Sequence, residues 1–164
     1  MSSTTRHRAY AWEDQAPTVS AGGTHDGLAI LQAIGREELP LPPALRTLDI
    51  TPMEAEPGRV SFTLAPSEFH LNPFGLVPGG VLAALIDTAM GCAVHSLLPV
   101  GAGYVTSELN VRFLRSTGVG TGALVCTGEV LKPGRRSMVV QARVTNDSGR
   151  DVAIGGCTCL VIAP

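Results

Sequence analysis

Between Arg59 and Leu64 apolar and polar side chains alternate, Val60, Phe62 and Leu64 against Ser61 and Thr63, which is the period of a half-buried strand. The run from Leu48 to Glu54 predicts its partner, with Glu56, Pro57 and Gly58 as the turn. The period then changes. After an Asn-, Pro- and Gly-rich stretch from Phe69 to Pro78, the residues Val81, Leu82, Leu85, Ile86, Ala89, Met90 and Ala93 fall on helical spacing from Gly79 onward. This helix is apolar around most of its circumference and carries the small residues Ala83, Ala84, Gly91 and Ala93, as a helix enclosed by a sheet requires. Four more strands are predicted without a helix between them: Val105 to Leu114, Gly122 to Leu131, Ser137 to Thr145 and Val152 to Ile162. Turns at Lys132 to Arg136 and Asn146 to Arg150 predict an antiparallel meander. Upstream, Asp26 is placed to cap a short helix with Leu28, Ile30, Leu31 and Ile34 on one face, ended by Pro40, Pro42 and Pro43. The pattern predicts an α+β fold, a curved antiparallel sheet around one long central helix, with an N-terminal accessory helix. Residues 1–25 are expected as a flexible tail and 26–164 as a single domain.

Composition narrows the function classes. The chain has 164 residues, 45% of them hydrophobic, enough for one core. A net charge of -2 gives no basis for binding a nucleic-acid backbone. The four cysteines, Cys92, Cys126, Cys157 and Cys159, contain no C-x-x-C pair and fit neither a disulfide scaffold nor a zinc knuckle. With no apolar leader between Met1 and Gly23, this points to a reducing, cytoplasmic setting. Leu76 to Val100 is greasy, but Pro78, Asp87, His95 and several glycines interrupt it, so it reads as a buried soluble helix and not a membrane span.

From His70 to Ser107 the only formally charged residue is Asp87. An ionised carboxylate in an apolar helix costs several kcal/mol unless it is paired or hydrogen bonded. It therefore needs a partner or a use; the bland alternative is that it caps a second helix starting at Thr88. Pro78 suits the first helical turn, and Gly79 and Gly80 leave free N–H groups at the positive end of the helix dipole, a candidate oxyanion site. The glycines could instead serve only close packing against the sheet. No nucleophile elbow, phosphate loop, dinucleotide fingerprint or zinc helix occurs in the chain. Cys92 and His95, three apart, offer a nucleophile–base pair without an orienting third group, and Cys157 and Cys159 read as core filling, so no metal site is expected.

The run His70-Leu71-Asn72-Pro73-Phe74-Gly75-Leu76-Val77-Pro78-Gly79-Gly80-Val81, followed by Leu85-Ile86-Asp87, resembles the signature of hotdog-fold acyl-CoA thioesterases. The likeness is to the PaaI-like, phenylacetic-acid-degradation branch of the 4-hydroxybenzoyl-CoA thioesterase superfamily. That resemblance implies hydrolysis of aryl or medium-chain acyl-CoA, with no cofactor beyond the coenzyme A of the substrate. It implies Asp87 as nucleophile or general base, the Gly79 N–H as the donor polarising the carbonyl, Asn72 holding the carbonyl or the water, and Thr106 orienting water. His70, Pro78 and Gly80 are expected to border the substrate, and Arg135 and Arg136, the densest cationic cluster, are candidates for the coenzyme A phosphates. A homodimer or homotetramer is implied, with the acid and the glycine amide of each site coming from opposite subunits. One departure stands out: Pro78 occupies the place of the family's histidine. A non-catalytic acyl-CoA sensor and a structural or carrier-binding protein of the same fold remain alternatives. A hotdog dehydratase fails because the position of its acid, fourteen residues after His70, is Ala84.

Overall fold

Residues 4–163 are described by the structure, a computed structural model. Three short helices come first: α1 (Ala16–Ala21), α2 (Gly27–Gly35) and α3 (Pro43–Leu48). Strands β1 (Ile50–Glu56) and β2 (Arg59–Leu64) follow, then the long helix α4 (Gly79–His95), and then β3 (Gly103–Phe113), β4 (Leu124–Lys132), β5 (Ser137–Thr145) and β6 (Asp151–Ile162). The strands form one antiparallel sheet in the order β1-β2-β4-β5-β6-β3.

The expected α+β architecture is present, with three corrections. First, Leu48 ends α3 and does not begin a strand; Pro43 opens that helix at a position where its missing N–H costs nothing, and Asp49 leaves it in a left-handed conformation (φ 54). Second, only β4, β5 and β6 form a meander. Strand β3 crosses to the far edge and pairs with β6, not with β4. Third, the segment expected as a loose tail is attached to the body and contains α1. The Arg8 guanidinium donates to the carbonyls of Thr47 (2.7 Å) and Arg46 (3.2 Å) and lies 3.6 Å above the Phe69 ring. Such anchors join residues far apart in sequence, so local pattern does not reveal them. The accessory helix behaves as its sequence predicts: the Asp26 side chain accepts from the Ala29 N–H at 2.9 Å, and Ile30 is buried.

Helix α4 fills the inner face of the sheet. Leu85, Ile86, Ala89, Met90, Ala93 and Val94 have no exposed surface, and they meet inward residues such as Leu64, Leu124, Val144 and Cys159. Strand β4 passes so close that a Cβ on Gly128 would stand 2.3 Å from the Ala89 carbonyl oxygen. The helix runs unbroken through Asp87, so this residue does not cap a second helix. Among the described residues no helix is long and apolar enough to cross a membrane.

Candidate active site

Strand β3 lies along one flank of α4, and three contacts fix its register on the helix. Tyr104 covers Gly91, where a Cβ would stand 2.4 Å from the phenol oxygen. Thr106 meets Asp87, its hydroxyl donating to Oδ1 at 2.9 Å. Phe113 covers Gly79, where a Cβ would stand 2.8 Å from the ring. The lone charge of the apolar stretch is thus half-buried, hydrogen bonded, and turned toward β3 at the sheet's edge. Because the Thr106 proton is committed to Asp87, its oxygen is left to accept from a further donor such as water.

At the start of α4, Pro78 is extended (φ -69, ψ 151) and caps the helix by position alone, with no side-chain hydrogen bond. Its carbonyl accepts from the N–H of Val81 (3.0 Å) and Leu82 (3.4 Å). The N–H groups of Gly79 and Gly80 have no acceptor among the described residues. For Gly79 the close-packing role and the free N–H coexist; around Gly80 a Cβ would find open space.

A cavity of about 360 Å³ opens at this helix start, with Asn72, Gly79, Leu82, Phe113, Arg115 and Ser116 in its walls. The Asn72 side-chain oxygen accepts from the N–H of Phe74 (2.9 Å) and of Leu76 (3.1 Å). Two backbone donors on one oxygen settle the orientation of the amide, and its NH2 is left as the free group. Asn72 can therefore donate to a ligand oxygen.

The other expected site residues separate from this group. His70 is buried, its Nδ1 accepting from the Ser67 N–H (3.0 Å) and its Nε2–H donating to the Leu48 carbonyl (2.8 Å). Both ring nitrogens are spent inside the chain, so neither is free to bond a substrate, and the imidazole secures the loop ahead of Asn72. Arg135 and Arg136 are exposed on the β4–β5 turn, and Arg135 borders a second cavity, of about 650 Å³, with Leu97, Pro99 and Met138 beyond the C-terminal end of α4. That places them a full 17-residue helix from Gly79, about 25 Å along its axis.

Cys92 and His95 do not form a nucleophile–base pair. Burial pushes the Cys92 thiol up to about 12 and holds the His95 imidazole below its usual range. Cys157 and Cys159 stand 3.6 Å apart as free thiols in the core, and among the described residues no cluster suits a metal ion. The cavity residues Phe113 and Arg115 were not singled out by sequence. Their only signal is position, at and just beyond the end of a strand whose location the sequence does not reveal.

Asp87 and Gly79 are eight residues apart on one helix, about 12 Å along the axis. A single reacting carbonyl, with both groups within hydrogen-bond reach, cannot be served by the pair within one chain.

Known proteins share this fold and part of this sequence. The family model for the thioesterase superfamily matches residues 74–153, which include α4 and all of β3, β4 and β5. A protein of Halobacterium salinarum named as an esterase is 38% identical over 89 residues, 49% of this chain and 57% of its own length. Human acyl-coenzyme A thioesterase 13 is 30% identical over 107 residues, 65% of this chain and 75% of its own. The chain thus spans little more than half of the first relative and three quarters of the second. The crystal structure of a phenylacetic acid degradation-related protein from Ralstonia eutropha JMP134 superposes with a TM-score of 0.72 at 29% identity, covering 79% of this chain and 98% of that one. The central helix, the sheet that wraps it and the sequence match together show that this chain belongs to the thioesterase superfamily of hotdog proteins.

Proposed function

We propose that the protein hydrolyses acyl-coenzyme A thioesters, with Asp87 as the general base. The observation that carries this reading is the Thr106–Asp87 hydrogen bond on the flank of α4, together with the uncommitted Gly79 N–H at the helix start. A thioester carbonyl is already electrophilic, so its hydrolysis needs donors for the developing oxyanion and a base for water. The Gly79 N–H and the Asn72 NH2 supply the donors. The Thr106 oxygen accepts from the attacking water while Asp87 removes its other proton. Water oxygen bonds to the carbonyl carbon, the C–S bond breaks, and the proton held by Asp87 passes to the departing thiolate, giving a carboxylic acid and free coenzyme A. No cofactor is needed, and the unpaired cysteines suit a reducing cytoplasm.

The separation of Asp87 from Gly79 makes the functional unit two chains, each lending its acid to the other's helix start. Strand β3 is the edge through which they would join. In such a pair Arg135 and Arg136 lie toward the C-terminal end of the helix that carries Asp87, its last residue about 12 Å beyond the acid. That suits the phosphate end of a coenzyme A arm.

Gly79 allows a direct test, because proline is tolerated at the first position of a helix and lacks the N–H. Thiol release should be followed over a panel of acyl-CoAs. Gly79→Pro should lose roughly 10²- to 10³-fold in kcat, the range for one oxyanion donor. Gly79→Ala, which meets Phe113 in the same way but keeps the N–H, should retain most of it. Mixing Gly79→Pro with Asp87→Asn should recover activity, since a mixed dimer holds one intact site. Equal rates for the two Gly79 variants would remove the amide from the mechanism, and binding of acyl-CoA without thiol release would favour a sensor.

A further inference from the structure

The cavity at the helix start has an uneven chemistry that the hydrolytic steps do not use. Apolar residues line much of it, Val77 and Leu82 almost fully buried and Phe113 and Leu114 exposed. The polar groups that its residues offer include donors, the Gly79 N–H, the Asn72 NH2 and the Arg115 guanidinium, with the Ser116 hydroxyl able to donate or accept. Among the residues lining it there is no carboxylate, and Arg115 carries the only formal charge.

That charge is held in place but not discharged. One Arg115 nitrogen donates to the backbone carbonyl of Asp151. The Asp151 carboxylate is engaged by Arg143, whose Nη2 lies 2.6 Å from Oδ2, and Arg115 is only the weaker of its two cationic neighbours. Two guanidiniums thus face one carboxylate, leaving a surplus positive charge beside the cavity and free N–H groups on Arg115.

We infer that Arg115 selects an acyl group bearing a carboxylate at its far end, an ω-carboxyacyl thioester, with the methylenes of the chain on the Leu82–Phe113 wall. This rests on the hydrolase reading above, which puts the thioester carbonyl at Gly79. The phosphates of coenzyme A are not the partner of Arg115. They lie at the end of a long arm, whereas Arg115 shares one small cavity with the carbonyl site. Arg115 is exposed at the cavity rim, and a planar guanidinium there matches a carboxylate with two parallel hydrogen bonds.

Adipyl-CoA and hexanoyl-CoA have the same number of acyl carbons and differ in the terminal carboxylate. The wild-type protein should show a kcat/KM ratio about tenfold in favour of adipyl-CoA, residing in KM, as one charge-assisted contact gives. Arg115→Gln should bring that ratio close to one, and Arg115→Lys should restore part of it. Calorimetric binding of the two thioesters to the Asp87→Asn protein should show the same preference without turnover, and thermal melting checks that each variant is folded. A wild-type protein that takes hexanoyl-CoA equally well, or an Arg115→Gln variant that loses both substrates alike, overturns the assignment. A preference for a neutral ω-hydroxyacyl chain over the carboxylate does so as well. Absence of thiol release from every thioester would instead refute the hydrolase reading, and the binding arm would still decide whether Arg115 recognises the carboxylate.

Discussion

The two edges of the sheet are built in opposite ways. Strand β1 has seven residues, contains Pro52, carries Glu54 and Glu56, and is kinked by a bulge between Pro52 and Glu54. Helix α2 packs beside it, and the Gln32 side chain donates to the Ala55 carbonyl at 3.2 Å. Strand β3 has eleven residues and no proline, and Val105, Leu109 and Phe113 are exposed along it. Among the described residues no strand or helix covers its outer side. Proline, charge, a bulge and a covering helix are the devices by which proteins block edge-to-edge pairing. One edge uses all four; the other has charges at Glu108 and Arg112 and a bulge between Thr106 and Glu108, but neither a proline nor a covering helix. The difference bears on the proposed chemistry, since Asp87 and Thr106 sit beside the uncovered edge, where under the two-chain reading proposed above a second copy would complete the site.

The largest effect should come from the acid itself. Asp87→Asn should lower turnover by roughly two orders of magnitude or more, the scale of lost general-base catalysis, while Glu54→Gln on β1 leaves the rate unchanged; near-normal hydrolysis by the Asp87 variant would remove the acid from the mechanism. Next comes the edge. Leu109→Lys on β3 should convert the assembly to monomers in sedimentation and cost on the order of tenfold or more in rate at assay concentrations. Met53→Lys, at a position on β1 more exposed than Leu109, should do neither. Dissociation by the β1 change and not by the β3 change would reverse the assignment of the edges.

The smallest effect tests the part of the sheet that lies between the edges. Gly128→Ala pushes a Cβ onto helix backbone at Ala89, and overpacking of this kind costs about 1–3 kcal/mol. Denaturant midpoints should show that loss, and Gly80→Ala, with open space around it, should show none. Equal midpoints would mean that α4 is not seated against β4 as described.

Much of this was legible in the chain because it depends on near neighbours. Period two gave β2 and β5 at their observed limits, helical spacing gave α4, and Asp26 marked the start of α2. The isolation of Asp87 in an apolar run singled it out, and the resemblance to hotdog thioesterases implied roles for Gly79, Asn72 and Thr106. Hydrogen bonding inside the loop then left the Asn72 NH2 as its free group and committed both His70 ring nitrogens within the chain.

What the sequence determined by itself is the set of elements and the single charge that the apolar helix must accommodate, since periodicity and burial cost are properties of residues close together in the chain. Tertiary structure alone decided that β3 lies at the far edge beside β6, that Thr106 reaches Asp87, and that Arg115 shares a cavity with Gly79. Those relations rest on hydrogen bonds and packing between separate elements of the chain, and no local pattern encodes which strand another strand will choose.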